Sequence, residues 1–240
     1  MDESFEIEED RPLEASARTP ADPASESNLL PPRLVARLSL YRRMLLGQAE
    51  KGRREIYSHD LAALVGTTAA QVRRDLMTIG VTGSPARGYP LAGLVLQIGH
   101  HLDAPAAQSA ALVGVGSLGR AILSYFSARK PRLAIVAAFD KDPEKVGHIV
   151  HGCRCYLIEE LDEVVRREGI SVGIISVPAS TAEEVSRLLI ASGITGILNF
   201  APVPLPSSAG VFVEQIDFTS AMERVAYFAR RLAPGEEARP

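Results

Sequence analysis

The chain has 240 residues, room for one large domain or two modest ones, and an apolar content of 46% supports a real core. No apolar run approaches the roughly 20 residues of a membrane span, and the acidic start MDESFEIEED lacks a signal-peptide core, so a cytoplasmic protein is expected. Cys153 and Cys155 are too few for a disulfide framework, and the formal net charge of −3 hides a strong asymmetry along the chain.

Residues 1–28 carry 2 basic and 9 acidic groups and few large apolar side chains, which predicts a disordered acidic tail. Residues 29–90 carry 10 basic and 4 acidic groups, a net of +6, against a nearly balanced remainder. A basic segment of that size points to a nucleic-acid-binding module. Within it Leu34, Leu38, Tyr41 and Leu45 recur at three- and four-residue steps, predicting a helix over 33–49 that Lys51-Gly52 ends. Ser58 is placed as the N-cap of a short helix stopped by Gly66. Thr67 and Thr68 precede a third helix, where Thr68 and Gln71 have the spacing of a capping box. Ala69, Val72, Leu76 and Ile79 share its inner face, and Gly80 closes it.

These helices make a helix–turn–helix within 40–79, whose second member presents its N-terminal residues to base edges. The face opposite the apolar stripe carries Gln71, Arg73, Arg74 and Thr78. Gln suits adenine, and Arg suits guanine or phosphate. The Gly/Pro-rich stretch VTGSPARGYP is read as a hairpin or loop, a wing that carries Arg87 to the backbone. Ser58, Thr67 and Thr68 at the helix starts and Lys51, Arg53 and Arg54 after the first helix add further DNA contacts. Roughly five neutralised phosphates per protomer would give a dimer a log–log salt slope of about −9. Residues 91–108, with His100-His101, are read as a connector between this domain and the next.

From residue 109 short β-branched runs at 110–115, 133–139, 154–158, 171–177, 196–200 and 211–213 alternate with helical stretches near 117–129, 159–168 and 180–192. That alternation predicts an α/β fold, a doubly wound parallel sheet of the Rossmann kind over 109–216. A last amphipathic helix is expected over 217–232, with a short tail at 233–240. The run LVGVGSLGRAILSYF places Gly114, Gly116 and Gly119 between the first strand and its helix. Residues 114–119 (Gly114, Val115, Gly116, Ser117, Leu118, Gly119) therefore read as a pyrophosphate-binding turn at a helix N-terminus. Asp140, 21 residues beyond Gly119, ends the next strand at the offset of a ribose-binding carboxylate, with Lys141 beside it. Such a carboxylate favours NAD over NADP.

A dehydrogenase would need a substrate domain and an acid/base group near the nicotinamide. The strands consume nearly all of the chain after Gly119, and no tyrosine is followed four residues later by lysine. No enzyme is expected; the alternative is an NAD-dependent oxidoreductase with a basic accessory domain. His148, His151, Cys153 and Cys155 form H-x-x-H-x-C-x-C, readable as a zinc or oxidant site or as same-face residues of a strand entry. No metal is expected.

Together the basic helix–turn–helix and the stretches GVGSLGRAILSYF, AAFDKDPEKVG, ISVPAS, GITGILNFAPV and VEQIDFTSAMERVAYF resemble the Rex family of redox-sensing transcriptional repressors over roughly residues 30–232. The resemblance implies a homodimer with an exchanged C-terminal helix that binds an inverted-repeat operator in double-stranded DNA when NADH is scarce. It implies NADH and NAD+ as ligands, with Phe218 near the nicotinamide and Pro178, Asn199 and Pro202 on loops around it. It also implies that Arg43, Tyr125 and Asp217 form alternative polar pairs that couple the two halves. One departure stands out: the family wing reads Gly-x-x-Gly-x-Arg-Gly-x-Gly-Tyr, whereas here Pro85-Ala86 replaces Arg-Gly.

Overall fold

The structure, a computed structural model, describes residues 29–127 and 133–232; the predicted acidic tail over 1–28 and the tail at 233–240 lie outside the described residues. The chain divides into two compact units that meet in sequence at Leu102 and Asp103.

In the first unit, helix α1 (Pro32–Glu50) starts with proline at its first position, where a missing N–H costs nothing. It buries Leu34, Leu38, Tyr41 and Leu45, the stripe expected from their spacing. Helix α2 (Ser58–Val65) and helix α3 (Ala69–Thr78) follow as the helix–turn–helix pair, α2 closing on Gly66 in the left-handed region at φ 69°. Ser58 is the first helical residue rather than the cap. Tyr57 occupies the cap position, and its N–H donates to the Asp60 carboxylate at 3.4 Å. A carboxylate three residues in that reaches back to the cap N–H supplies one half of a capping box. At α3 Thr68 is the cap, its Oγ1 accepting from Gln71 N at 3.1 Å. The reciprocal half of the capping box does not form, because the Gln71 side chain turns to Asp75 instead.

The segment read as a connector is largely helix α4 (Leu91–Leu102), and it belongs to the first unit. Leu91, Leu94 and Ile98 repeat at helical spacing and are buried in the same core as Leu38 and Leu76. Gln97, His100 and His101 fall outside that buried stripe, so the helical spacing is present in the sequence, but Gly93 and Gly99 within it lower the helix propensity of the stretch. Strands β1 (Glu55–Ile56) and β2 (Tyr89–Pro90) pair antiparallel below the hairpin. Ser84 and Gly88 exchange backbone hydrogen bonds of 2.9 and 2.7 Å, closing a tip of Pro85, Ala86 and Arg87. The Tyr89 ring lies so close under Gly83 that a Cβ there would stand 2.6 Å from it.

The second unit is a seven-stranded sheet. Its strands are β3 (Gln108–Val113), β4 (Leu133–Asp140), β5 (Ile149–Val150), β6 (Cys153–Leu157), β7 (Ile170–Ile175), β8 (Gly196–Asn199) and β9 (Phe212–Gln215). The order is β5-β6-β4-β3-β7-β8-β9, parallel except for the edge strand β5. This is the α/β architecture expected, with β5 as an unanticipated two-residue addition. Helices α5 (Ser117–Ser127), α6 (Leu161–Arg167), α7 (Ala179–Ala191) and α8 (Phe218–Leu232) connect or follow the strands. One core joins Val113, Phe139, Val164, Ile175 and Leu189, and a second joins Leu112, Val115, Leu123, Cys155 and Ile174. The strand order reverses between β3 and β7, the position where open α/β sheets hold ligands beyond their carboxyl ends.

Candidate nucleotide cradle and DNA-reading face

At the end of β3 the backbone at Gly114 adopts φ 98°, and a Cβ there would lie 2.5 Å from the Ser176 carbonyl oxygen. Gly119 on α5 is under the same pressure: a Cβ would stand 2.0 Å from the Gly114 carbonyl oxygen. These two glycines let the turn, the helix and the end of β7 pack against each other. Ser176 Oγ donates to the Gly114 carbonyl at 2.7 Å and ties the β7 loop to the turn. Gly116 differs, because nothing lies within 4 Å of its Cβ position. That exposed, unfilled backbone at the start of α5 is where a pyrophosphate can approach. The N–H groups of the first turn, at Ser117, Leu118 and Gly119, have no acceptor within the helix and carry its positive end. The residues present therefore fit a dinucleotide diphosphate.

Asp140 ends β4 and is 8% exposed. Its Oδ2 accepts from Val115 N at 2.8 Å and from Lys145 Nζ at 3.0 Å, and its Oδ1 accepts from Asp142 N at 3.0 Å. Burial alone would raise its pKa, but the Lys145 bond and the two backbone N–H groups outweigh it and hold the carboxyl below the usual range. Asp140 thus shapes the glycine turn from the end of the neighbouring strand. Lys141 is exposed, and Lys145, which the sequence reading did not single out, makes the ion pair. Its i+5 offset falls outside the spacings that motif reading tests.

Pro178 occupies the cap position of α7 and is exposed. Asn199 is fully buried. Its amide nitrogen donates to the Val203 carbonyl at 2.9 Å and to Gln215, and its oxygen accepts from Ala201 N at 3.0 Å. It shapes the loop bearing exposed Pro202 and shows no surface of its own. Phe218 is 58% exposed, its ring centroid 6.0 Å from that of Phe200. Asp217 caps α8, accepting from Ser220 N at 3.0 Å and from Ser220 Oγ at 2.6 Å. Tyr125 is half-exposed on α5, edge-on to Phe126. Arg43 is exposed on α1. Cys153 and Cys155 are buried free thiols on β6, and no cluster of three or more metal-binding side chains occurs among the described residues.

In the first unit α3 exposes Ala70, Arg73, Arg74, Met77 and Thr78. Arg73 donates to Ser58 Oγ at 3.1 Å, and Thr78 Oγ1 to the Arg74 carbonyl at 3.0 Å. Thr67 is half-buried at the turn, while Thr68 is exposed. Arg53 is engaged with Asp60 and with the Glu55 carbonyl. Lys51, Arg54, Arg74 and Arg87 are exposed and make no salt bridge among the described residues. Tyr57 OH donates to the Ala86 carbonyl at 2.9 Å, so the altered wing tip is still anchored next to Arg87. Gln71 is half-buried and bound to Asp75, a carboxylate that sequence periodicity hides among apolar neighbours.

Residues 30–76 match a family described as "Putative DNA-binding protein N-terminus", and residues 106–203 match one described as "CoA binding domain". A redox-sensing transcriptional repressor Rex of Streptomyces coelicolor is 35% identical over 90% of this chain and 83% of its own length. The Rex of Rhodopirellula baltica is 39% identical over 80% of this chain and 81% of its own. Among solved structures, RSP in complex with beta-NAD+ and operator DNA superposes with a TM-score of 0.79 at 26% identity, covering 85% of this chain and 94% of that one. RSP in complex with beta-NADH gives 0.76 at 25% identity, covering 85% and 96%. The kinship runs through both units, and the chain belongs to the Rex family of redox-sensing transcriptional repressors.

Proposed function

We infer that this protein is a transcriptional repressor that holds operator DNA when NADH is low and leaves it when NADH rises. The observation that carries this is the reach of the kinship: named repressors match across the basic helix–turn–helix and the glycine cradle together. The oxidoreductase alternative loses on the same ground.

The two cofactor forms differ at the nicotinamide, which is cationic in NAD+ and uncharged in NADH. Residues 114–119 and Asp140 face features that both forms share, so they give affinity without discrimination. Selection falls to the other end of the cradle, where Phe218 and Phe200 offer apolar surface. An unpartnered cation is costly to bury there, so the uncharged form is favoured. A hundredfold preference, about 2.7 kcal/mol, is enough for a useful switch. Arg43, Tyr125 and Asp217 are the residues to which this proposal gives the coupling. The Asp217 carboxylate has acceptor capacity beyond its cap bonds, and Asp217→Ala should weaken NADH-driven release.

The functional unit is a homodimer on an inverted repeat. Support comes from α8, along which Phe218, Met222, Val225 and Leu232 are all more than half exposed. No helix of the described residues is long and apolar enough to cross a membrane, and the working compartment is the cytoplasm, where the operator lies. The test is titration of a preformed protein–operator complex with NADH and NAD+ separately. Release by NADH at concentrations where NAD+ has little effect is expected; a complex that persists at saturating NADH overturns the reading.

A further inference from the structure

Asp75 lies on α3 yet is only 3% exposed. Arg37 on α1 donates to it with both arms of its guanidinium, Nε to Oδ2 at 2.6 Å and Nη2 to Oδ1 at 2.7 Å. Tyr41 OH donates to Oδ2 at 2.8 Å. Arg37 and Tyr41 already satisfy the buried charge and join the two helices. A fourth bond, from Gln71 Nε2 to Oδ1 at 2.8 Å, comes from one turn earlier on α3 itself.

Gln71 is the third residue of α3, in the turn that a helix–turn–helix presents to base edges. An ionised carboxylate only accepts hydrogen bonds, so the amide nitrogen must face Asp75. The tether therefore decides which way round the Gln71 amide sits, a choice otherwise left open by its near symmetry. Among the described residues the amide has no other partner, which leaves Oε1 and one N–H unspent. An adjacent acceptor and donor in that order complement the N6–H and N7 of adenine in the major groove.

We propose that Asp75 is a positioning residue for sequence reading, holding Gln71 in the orientation that selects an adenine in each operator half-site. The proposal rests on the DNA-binding role of α3 and adds to it a base and a reason for its selection. Arg37 and Tyr41 hold the carboxylate, the carboxylate holds the amide, and the amide meets the DNA with its rotamer already chosen.

The test is binding of the full-length protein to a panel of operators with single base-pair replacements. One A·T pair should show a preference of about tenfold or more over G·C that Gln71→Met removes at that position alone. Asp75→Asn should reduce the same preference and change nothing further in the Gln71→Met background. Tyr41→Phe removes one ligand of Asp75 without touching the tether and should keep the preference. A uniform loss across the panel in Asp75→Asn, or an unchanged set of preferences in Gln71→Met, overturns the proposal. Should Asp75→Asn fail to fold, side-chain relaxation of the wild-type protein decides the matter. A Gln71 amide order parameter near 0.85, about that of rigid backbone, is expected, and one below about 0.6 overturns the tether. NADH-driven release from the unaltered operator is measured separately, so failure here leaves the repressor reading standing.

Discussion

Gly116 and Gly119 are the same residue type three positions apart, yet they answer to different constraints. Alanine at Gly119 forces a methyl against the Gly114 carbonyl, so the turn must open, at a cost of about 3 kcal/mol or more. Alanine at Gly116 meets nothing in the protein and should leave the melting temperature almost unchanged. It should still weaken NADH binding about tenfold or more, the cost of a charge-assisted hydrogen bond to phosphate. Calorimetric melting together with NADH titration separates the two; a Gly116→Ala protein with wild-type affinity removes residues 114–119 from the pyrophosphate site. The cysteines give a second expectation at this scale. Burial, with Cys155 nearby, pushes the Cys153 thiol up to about 12, and burial also raises Cys155. Neither is a thiolate near neutral pH, so alkylation of the folded protein should lag far behind that of the denatured chain. Rapid labelling of both thiols under native conditions would contradict their burial.

Among the elements, α8 has the largest unmet requirement. Its stripe at Phe218, Met222, Val225 and Leu232 has no buried member, although full burial of such side chains is worth about 1.5–3 kcal/mol each. Met222→Glu with Val225→Glu should yield a monomer by analytical ultracentrifugation and cost most of the operator affinity. A variant that stays dimeric assigns the interface elsewhere. The Asp75 knot sets the packing of α1 against α3. Burial raises its carboxyl pKa, but the bonds from Arg37, Tyr41 and Gln71 outweigh that and bring the net value below the ordinary 3.8. Asp140 is depressed in the same way, by Lys145 and two backbone donors. For groups shifted in this direction the stabilisation is complete above 3.8 and is lost as the pH falls through the lower folded values. Acid unfolding should therefore begin only below about pH 4, and Asp75→Ala should bring it on earlier while lowering stability at neutral pH by about 2 kcal/mol.

For the whole molecule, salt dependence reports how many cations reach phosphate. Arg53 is engaged with Asp60, which leaves Lys51, Arg54, Arg73, Arg74 and Arg87 as the cations named for that purpose that make no salt bridge among the described residues. Five per protomer predict a slope of about −9 for a dimer. Arg87→Ala should flatten it by about 2, one phosphate per protomer. An unchanged slope would mean that the wing, with Pro85-Ala86 at its tip, stands off the DNA. Linkage adds a reciprocal expectation: operator DNA must weaken NADH binding by the same factor by which NADH weakens operator binding.

Periodicity, glycine spacing and local charge were enough to locate α1, α3, the six parallel strands and the glycine turn between β3 and α5, because each is encoded within about one element of chain. Helix α4 escaped because Gly93 and Gly99 interrupt it with weak helix formers, although Leu91, Leu94 and Ile98 carry helical spacing and pack into the core with α1. Tertiary structure alone decided the distant partners of polar side chains: Val115 N on Asp140, Gln215 on Asn199, and Arg37 on Asp75, which lies 38 residues later. Hydrogen bonds and ion pairs depend on distances of a few ångströms between distant parts of the chain. The sequence sets which groups are available, and folding sets which of them meet.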